Sequence, residues 1–228
     1  MTRVLLIEDD PAVRRGVTLG LRRGGHETEA VATGEDGLES LAPFAPDIVL
    51  LDLMLPGMSG LEVCRRIRET GEVPIVILSA RGDDIDVVVG LEAGADDYIV
   101  KPASTEVIEA RMRAVLRRVA PAQPAAGEGP VVHGGLEIDA SAVRVRKNGA
   151  ELSLAPSELK LLLFLSASPG RTFSRRQLLE EVWEHSYYGD ARLVDACVKR
   201  LRAKIEDDQR APRYVQTVRG FGYRFGPL

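Results

Sequence analysis

Four apolar runs in the first half of the chain end in side chains that can do chemistry. Glu8 and Asp9 close the first run, Asp52 the second, Ser79 the third and Lys101 the last. The carboxyl ends of parallel strands meet at one edge of an open α/β sheet, so these side chains are expected to lie together. Carboxylates crowded there repel one another unless a cation lies among them, and Mg²⁺ prefers oxygen ligands. The pattern predicts a magnesium site that includes Glu8, Asp9 and Asp52.

With a metal in place, the Asp52 carboxylate can act as a nucleophile toward a phosphoryl group. The metal and Lys101 would neutralise charge on the transferring oxygens, and the product would be an acyl phosphate. Ser79 can donate a hydrogen bond to one phosphoryl oxygen, and Lys101 can pair with another. These residues therefore predict a switch that registers the arrival of a phosphoryl group.

Strand and helix patterns alternate through the first half, which is typical of a parallel sheet with helices on both faces. Strands are predicted at residues 4–8, 27–32, 47–52, 74–80 and 97–101. Helices are predicted at residues 11–23, 34–41, 60–70, 84–93 and 104–118. The predicted fold class is α/β, with a five-stranded, parallel, doubly wound, flavodoxin-like domain over residues 1–119.

Three motifs in this half resemble the receiver domain of response regulators, and the likeness covers residues 3–118. The motifs are Leu51-Asp52-Leu53-Met54-Leu55-Pro56-Gly57-Met58-Ser59-Gly60, Gly94-Ala95-Asp96-Asp97-Tyr98 and Lys101-Pro102. The resemblance implies that Asp52 accepts a phosphoryl group from a partner sensor histidine kinase. It also implies the Mg²⁺ ligands Glu8, Asp9, Asp52 and the main-chain carbonyl of Met54. Ser79 and Tyr98 would move together on activation, and Lys101–Pro102 would be a cis peptide bond.

Two other interpretations of this half are open. A haloacid-dehalogenase-like phosphatase also uses an aspartate nucleophile, but that chemistry needs a second acid two residues on, and position 54 is methionine. A DNA-binding regulator that uses the domain only for dimerisation would not need phosphorylation, and the complete set of acids argues against it. We expect a regulator and not an enzyme.

A segment rich in alanine and proline at residues 120–130 predicts a linker to a second domain. Strands are predicted beyond it at residues 136–139, 142–146 and 151–154, with Asn148-Gly149 as a hairpin turn. Helices are predicted at residues 156–167, 174–183 and 191–205, the last capped by Asp190, and a hairpin at 214–218 and 223–225. We expect residues 131–228 to form a separate α+β winged helix-turn-helix domain.

The helix predicted at residues 191–205 has an apolar face and a basic face. Its core stripe is Val194, Val198, Leu201 and Ile205. Its basic face comprises Arg192, Ala196, Lys199, Arg200 and Ala203, with Arg202 beside it. Such a face suits the major groove of DNA, and an arginine at the tip of the last hairpin can enter a minor groove or bind phosphate. The predicted DNA contacts are Arg192, Lys199, Arg200, Arg202, Thr217 and Arg219.

Residues 131–226 resemble the effector domain of the OmpR/PhoB family. The likeness includes Leu154-Ala155-Pro156-Ser157-Glu158-Leu159-Lys160-Leu161-Leu162, Leu201-Arg202-Ala203-Lys204-Ile205 and Thr217-Val218-Arg219-Gly220-Phe221-Gly222-Tyr223. It implies binding to double-stranded DNA and, through the loop at residues 184–190, contact with RNA polymerase. Cys197 stands where many relatives carry histidine, and no redox role follows from it.

In that family, helix 4, strand 5 and helix 5 of the receiver form a symmetric homodimer on activation. The matching residues here are Leu91, Asp96, Asp97, Ala110, Arg111 and Arg118. Val87 and Val107 stand where relatives usually carry a lysine and a glutamate, and Ala103 replaces a common phenylalanine. Because both charges are lost together, the homodimer is still expected.

The formal net charge of −4 hides an asymmetry between the two halves. Residues 1–118 hold 14 Lys and Arg against 21 Asp and Glu, whereas residues 130–228 hold 16 against 12. The mildly basic second half suits an approach to phosphate backbones.

No apolar run reaches the ~18 residues of a membrane span. Acids follow too early for a signal peptide, so a cytoplasmic protein without a membrane partner is expected. Cys64 and Cys197 lie too far apart in the sequence to indicate a disulfide or zinc site.

Overall fold

The computed structural model describes residues 1–80, 84–119, 129–183 and 191–226. The chain divides into two compact units, Met1–Leu116 and Arg117–Leu228. Among the helices in the described ranges, none combines the length and the apolar character needed to cross a membrane.

The first unit is a parallel sheet with a helix after each strand. Its strands are β1 (Arg3–Ile7), β2 (Glu27–Val31), β3 (Ile48–Asp52), β4 (Ile75–Ser79) and β5 (Asp97–Val100). Its helices are α1 (Pro11–Arg23), α2 (Gly34–Phe44), α3 (Gly60–Thr70), α4 (Asp84–Glu92) and α5 (Thr105–Val119). The sheet order is β2-β1-β3-β4-β5, and every pair in it is parallel. This is the predicted flavodoxin-like arrangement, and it is confirmed.

The order of the strands explains why distant residues meet. β1, β3, β4 and β5 are consecutive neighbours, so the acids after β1, Asp52 on β3 and Ser79 on β4 share one edge with the residue after β5. β3 and β4 are buried along their whole length. Continuous apolar strands of this kind are typical of a sheet covered on both faces, and burial holds the edge rigid.

One helix of the first unit is longer than predicted. The prediction ended α2 at residue 41, whereas the helix continues through Pro43 to Phe44 and stops where Ala45 adopts a left-handed backbone with φ of 44°. A proline in the last turn removes one helical hydrogen bond but does not interrupt the turns before it. The burial of Phe44 then favours the extra turn.

The second unit combines two small antiparallel sheets with three helices. Its strands are β6 (Val131–His133), β7 (Leu136–Asp139), β8 (Arg144–Lys147), β9 (Ala150–Glu151), β10 (Thr172–Phe173), β11 (Val215–Val218) and β12 (Gly222–Phe225). Its helices are α6 (Pro156–Ser166), α7 (Arg175–Trp183) and α8 (Arg192–Ile205). β6 to β9 form one sheet, and β12 lies between β10 and β11 in the other. The expected winged helix-turn-helix architecture is confirmed.

Several short elements of this unit differ from the prediction. β6 and β10 were not predicted, and the strand predicted at residues 151–154 already ends at Glu151. The chain must leave the sheet there because Ala155 is the N-cap of α6 and Pro156 its first residue. The N-cap position of α8 is Ala191, which offers no side-chain cap, and the predicted cap Asp190 lies outside the described residues.

Candidate functional site

Lys101 lies between two buried acids at the carboxyl edge of the first sheet. Its Nζ donates to Glu8 Oε2 at 2.6 Å and to Asp52 Oδ2 at 2.7 Å. Glu8 and Asp52 are almost fully buried, so each carboxylate has lost most of its hydration. A buried charge is tolerated only when it is paired, and Lys101 supplies the pairing charge for both acids.

The ionisation of this cluster reflects burial and pairing in opposition. Burial raises the pKa of Glu8 above its usual value, although its hydrogen bond to Lys101 acts in the other direction. For Lys101, burial alone would lower the pKa, but the hydrogen bonds to Asp52 and Glu8 outweigh it and raise the pKa. Lys101 is therefore held in its charged form, ready to meet an anionic group.

The backbone of Asp52 packs closely against the start of α3. Asp52 Oδ1 accepts a hydrogen bond from the main-chain N–H of Met54 at 3.0 Å. A Cβ at Gly60, the first residue of α3, would lie 2.0 Å from the carbonyl oxygen of Asp52. Only glycine permits this approach, and it brings the start of α3 against the end of β3. Sequence reasoning assigned Gly60 to the motif but not this steric role.

Three carboxylates at this edge can reach one cation. Ligand oxygens from Glu8, Asp9 and Asp52 all lie within 4.8 Å of one another. Asp9 is exposed while the other two are buried, so a cation there would have one side open to water. Magnesium commonly keeps several waters and uses only a few carboxylates, so the donor set fits it. The Met54 carbonyl as a further ligand stays a prediction.

Residues at the start of α1 fix the acid pair in place. Arg14 Nη1 donates to the carbonyl oxygens of Glu8 and Asp9 at 2.6 and 2.8 Å. The neighbouring Asp10 is engaged elsewhere, because its carboxylate caps α1 by accepting from the amides of Ala12 and Val13. Those amides, Val13 first, lower the pKa of Asp10. Nothing in the sequence pattern distinguished Arg14 from the other arginines of α1.

The two predicted switch residues lie on β4 and β5, strands whose carboxyl ends share this edge of the sheet. Ser79 is fully buried, and its carbonyl accepts from the amide of Lys101 at 2.8 Å. Tyr98 is half-buried, and a Cβ at Gly90 of α4 would lie 3.2 Å from its ring carbon Cε2. The Tyr98 ring therefore packs against α4. The Lys101–Pro102 bond is cis, as the resemblance implied.

The residues expected at a dimer face lie partly inside the first unit. Leu91, Asp96 and Asp97 are buried. Asp96 Oδ2 accepts from Arg68 Nη2 at 2.7 Å and from the Ile75 amide at 3.0 Å, so it serves its own domain. Asp97 Oδ2 lies 3.6 Å from Arg111 Nη1 within the same chain.

Among the side chains that the structure describes on β5 and α5, three exposed ones are apolar. Val100 at the end of β5 is 47% exposed and Val107 on α5 is 46% exposed. Ala110, on the same helix, is also exposed. Arg118 belongs to α5, but its side chain lies outside the described part. Sequence spacing alone did not reveal that the predicted apolar residue, Leu91, faces inward.

The helix predicted to read DNA has the expected core stripe. Val194, Val198, Leu201 and Ile205 are all buried. Lys199 and Ala203 are exposed, as expected of a basic outer face, whereas Arg192 is only partly exposed and its Nη1 is buried. Ala196, predicted on that face, is buried, and the acid Asp195 is exposed in its place.

Arg200 differs from the prediction that placed it on the exposed face. Its side chain is 14% exposed, and its Nε donates to Glu158 Oε1 of α6 at 3.1 Å. Lys204 approaches the other oxygen of the buried Glu158 at 2.8 Å. A long side chain near the boundary of two helix faces can reach inward to a buried acid, and the α6–α8 contact uses it in this way.

A second set of contacts holds α8 against the terminal hairpin. Arg202 donates to the carbonyl of Val215 and to Thr217 Oγ1, each at 2.8 Å. The Tyr223 hydroxyl donates to Asp195 Oδ1 at 2.7 Å, and Arg175 Nε lies 2.6 Å from the same oxygen. Arg219, at the hairpin tip, is exposed. Sequence reasoning missed Arg175, Asp195 and Tyr223, whose partners are far apart in the chain.

Two further predictions lie outside the described residues. They are the polymerase-contacting loop at residues 184–190 and the greater part of the linker, at residues 120–128.

Comparison with known proteins gives matches in both halves. The family described as "Response regulator receiver domain" matches residues 4–113, and the family "Transcriptional regulatory protein, C terminal" matches residues 149–225. "Transcriptional regulatory protein AfsQ1" of Streptomyces coelicolor is 56% identical over 231 residues, covering 100% of this chain and 99% of the relative. "DNA-binding response regulator MtrA" of Mycobacterium tuberculosis is 45% identical over 227 residues, covering 99% and 97%.

Solved structures agree with the sequence matches. The response regulator DrrB, a Thermotoga maritima OmpR/PhoB homolog, is 37% identical with a TM-score of 0.52, and the match covers 100% of both chains. A mutant of RitR is 26% identical with a TM-score of 0.79 over 99% of both chains. Fold and sequence together define a two-component response regulator with a DNA-binding domain. The chain belongs to the OmpR/PhoB family of DNA-binding transcriptional regulators.

Proposed function

We propose that Asp52 accepts a phosphoryl group from a sensor histidine kinase in the presence of Mg²⁺, and that this modification increases binding of the second domain to DNA. The observation that carries the proposal is the pairing of Asp52 and Glu8 with Lys101 at 2.7 and 2.6 Å. An aspartate nucleophile, a fixed cation and a second acid in one buried edge have the geometry of phosphoryl transfer.

In the proposed transfer, one carboxylate oxygen of Asp52 forms a bond to phosphorus as the bond from phosphorus to the kinase histidine nitrogen breaks. The leaving nitrogen keeps the electron pair. Glu8, Asp9 and Asp52 would hold Mg²⁺, with the Met54 carbonyl as a further ligand. When bound, the ion supplies charge neutralisation for the phosphoryl oxygens. Lys101 is already within hydrogen-bonding distance of Asp52, so it can stabilise the same oxygens without a large movement.

The added group changes the charge at this edge by about −1.5 to −2 at neutral pH. Lys101 and Ser79 would bind the new oxygens, and Tyr98, which packs on α4, would move with them. We propose that a movement of Ser79 and Tyr98 toward the phosphoryl group changes the surface of α4, β5 and α5 and favours a homodimer. The exposed Val100, Val107 and Ala110 are the residues we assign to its apolar contact.

Dimerisation would raise the effective concentration of one DNA-binding domain beside another. Arg192, Lys199 and Arg219 are the cations that we assign to direct DNA contact. Arg202 and Thr217 bind each other and so position the hairpin beside α8. Arg200 is left out of the contact set because it binds the buried Glu158. We further propose that the protein is cytoplasmic and contacts RNA polymerase. We also propose that it is not an enzyme and does not release free phosphate in repeated turnovers.

Phosphoryl uptake can be measured directly. The full-length chain is incubated with Mg²⁺ and acetyl phosphate and followed by intact mass. The expected result is a stable adduct of one phosphoryl group that is absent from Asp52→Asn and present in Asp36→Asn, whose acid is exposed on α2. An adduct on Asp52→Asn would refute the assignment. Steady release of phosphate without an adduct would indicate a phosphatase, and no reaction at all would favour a regulator that does not use phosphorylation.

A further inference from the structure

Phe221 stands out among the described residues as a large apolar side chain left in solvent. It is 72% exposed, more than any other exposed large hydrophobic side chain in the described ranges except Met1. It lies at the tip of the β11–β12 hairpin, two residues after the exposed Arg219. An aromatic ring in this place adds nothing to the core, so its whole face is available for contact with another molecule.

The hairpin that carries Phe221 is held firmly. Its tip closes with a hydrogen bond from the Phe221 amide to the Val218 carbonyl at 2.9 Å, and Gly220 adopts a φ of 79°. At Gly222 the φ is 146°, and a Cβ there would lie 2.1 Å from the carbonyl of Phe173. The hairpin is thus clamped against β10 immediately after Phe221. A fixed tip can present a side chain to a ligand without a large loss of entropy.

Side-chain hydrogen bonds to α8 show which side of the hairpin faces that helix. Thr217 and Tyr223 pair across the two strands, and both bind residues of α8, Arg202 and Asp195 respectively. Arg219 and Phe221 lie in the turn that joins these two strands, so both are at the tip of the hairpin that α8 contacts. The exposed ring and the exposed cation are therefore two residues apart in one turn.

We propose that Phe221 is a DNA contact that inserts its ring into the minor groove beside Arg219. The proposal rests on the proposed placement of the hairpin on DNA. Arginine binds the negative potential of the groove, and apolar side chains in minor-groove proteins pack against sugars or partly unstack base steps. Phe221 would then increase the affinity for DNA through an uncharged contact, and that contact would depend on the width of the groove and on the groups at its floor.

The test uses the full-length chain and a duplex that the wild-type chain selects from a random-sequence pool. Phe221→Ala is expected to weaken binding about tenfold, with Phe221→Leu in between. Because no charge is removed, the slope of log K against log salt should stay unchanged. Arg219→Ala should reduce that slope by about 1. Val132→Ala, which shortens another exposed apolar side chain on β6, is the matched control and should bind as the wild type does.

A modified duplex locates the contact. Replacing adenine by 2,6-diaminopurine under the hairpin adds an amino group to the minor groove and leaves the major-groove pattern intact. The wild type should lose affinity on this duplex, and Phe221→Ala should lose much less. Equal losses, or binding of Phe221→Ala within about twofold of wild type on the unmodified duplex, would overturn the inference. An effect confined to duplexes that carry two bound copies would overturn it too, since the contact would then be between proteins. If Arg219→Ala also leaves DNA binding unchanged, the proposed contact between the hairpin and DNA is wrong as well.

Discussion

At the scale of single residues, the central feature is one lysine shared by two buried acids. Lys101 bonds to both Glu8 and Asp52, and its neighbours hold it charged. The same contacts that would prepare it for the proposed phosphoryl group also offset the cost of burying two carboxylates. Function and stability are therefore coupled at this position.

Lys101→Met should lower the stability of the first unit by about 3 kcal/mol near neutral pH without magnesium, because two buried acids lose their partner. Mg²⁺ can replace the missing charge, so it should raise the melting temperature of the variant more than that of the wild type. Thermal unfolding with and without Mg²⁺ measures both effects. Lys199→Met, which removes an exposed lysine from the other unit, serves as control. An equal response to Mg²⁺ in variant and wild type would contradict the proposed metal site.

The sequence was sufficient to predict which acids meet, because a parallel sheet brings the ends of its strands together whatever their separation in the chain. It was not sufficient for side chains whose direction depends on packing. Arg200 turns toward Glu158, and Asp96 turns toward Arg68. Both are long-range pairs, and helical or strand spacing carries no information about them.

At the scale of elements, the second unit depends on the attachment of the terminal hairpin to α8. Tyr223 connects them. Its hydroxyl donates to Asp195, and the guanidinium carbons of Arg175 and Arg202 lie 5.0 and 5.7 Å from its ring centroid. Burial, and then the hydrogen bond to Asp195, raise the pKa of Tyr223 above its ordinary value of 10.0. The neutral phenol is thus favoured in the folded state.

Tyr223→Phe should cost about 1 kcal/mol of stability at pH 7, through the loss of the bond to Asp195. Since the folded pKa is raised, the contribution of the phenol is complete below the unfolded pKa of about 10 and is lost as pH rises through the folded pKa. The stability difference between wild type and variant should therefore shrink above pH 10. Urea unfolding at several pH values measures this difference. A difference that stays constant or grows with pH would contradict the assigned hydrogen bond.

The longer elements were predicted closely, and α1, α3 and β7 have the predicted bounds. Their signals are local: Pro11 starts α1, Ser59 caps α3, and apolar residues recur at helical or strand spacing. β6 and β10 escaped prediction because each has only two or three residues, and pairing with a partner strand rather than local sequence makes them strands.

At the scale of the whole molecule, an acidic unit of the receiver family is joined to a DNA-binding unit, and phosphorylation of the first is proposed to control the second. The proposed link between them is dimerisation through the α4–β5–α5 surface. Of the charged residues expected there from the family, Asp96 and Asp97 are buried, whereas Val100 and Val107 are exposed. An apolar contact of this kind should depend less on salt than an ion-paired one.

Val107→Lys should prevent the phosphorylation-dependent dimer, because it places one charge from each copy in a small apolar contact. Sedimentation of the full-length chain with Mg²⁺ and acetyl phosphate gives the mass of the assembly. Leu19→Lys is the control, since Leu19 is exposed to a similar degree on α1. If Val107→Lys still dimerises while taking up the phosphoryl group, the surface has been placed wrongly.

The most direct test of the whole proposal is a DNA-binding titration of the full-length chain with and without Mg²⁺ and acetyl phosphate, at fixed salt, on the selected duplex. The wild type should bind about tenfold or more tightly after phosphorylation, and Asp52→Asn should bind equally under both conditions. If Asp52→Asn responds as the wild type does, or if the phosphorylated wild type binds no more tightly than before, then Asp52 does not control the DNA-binding domain.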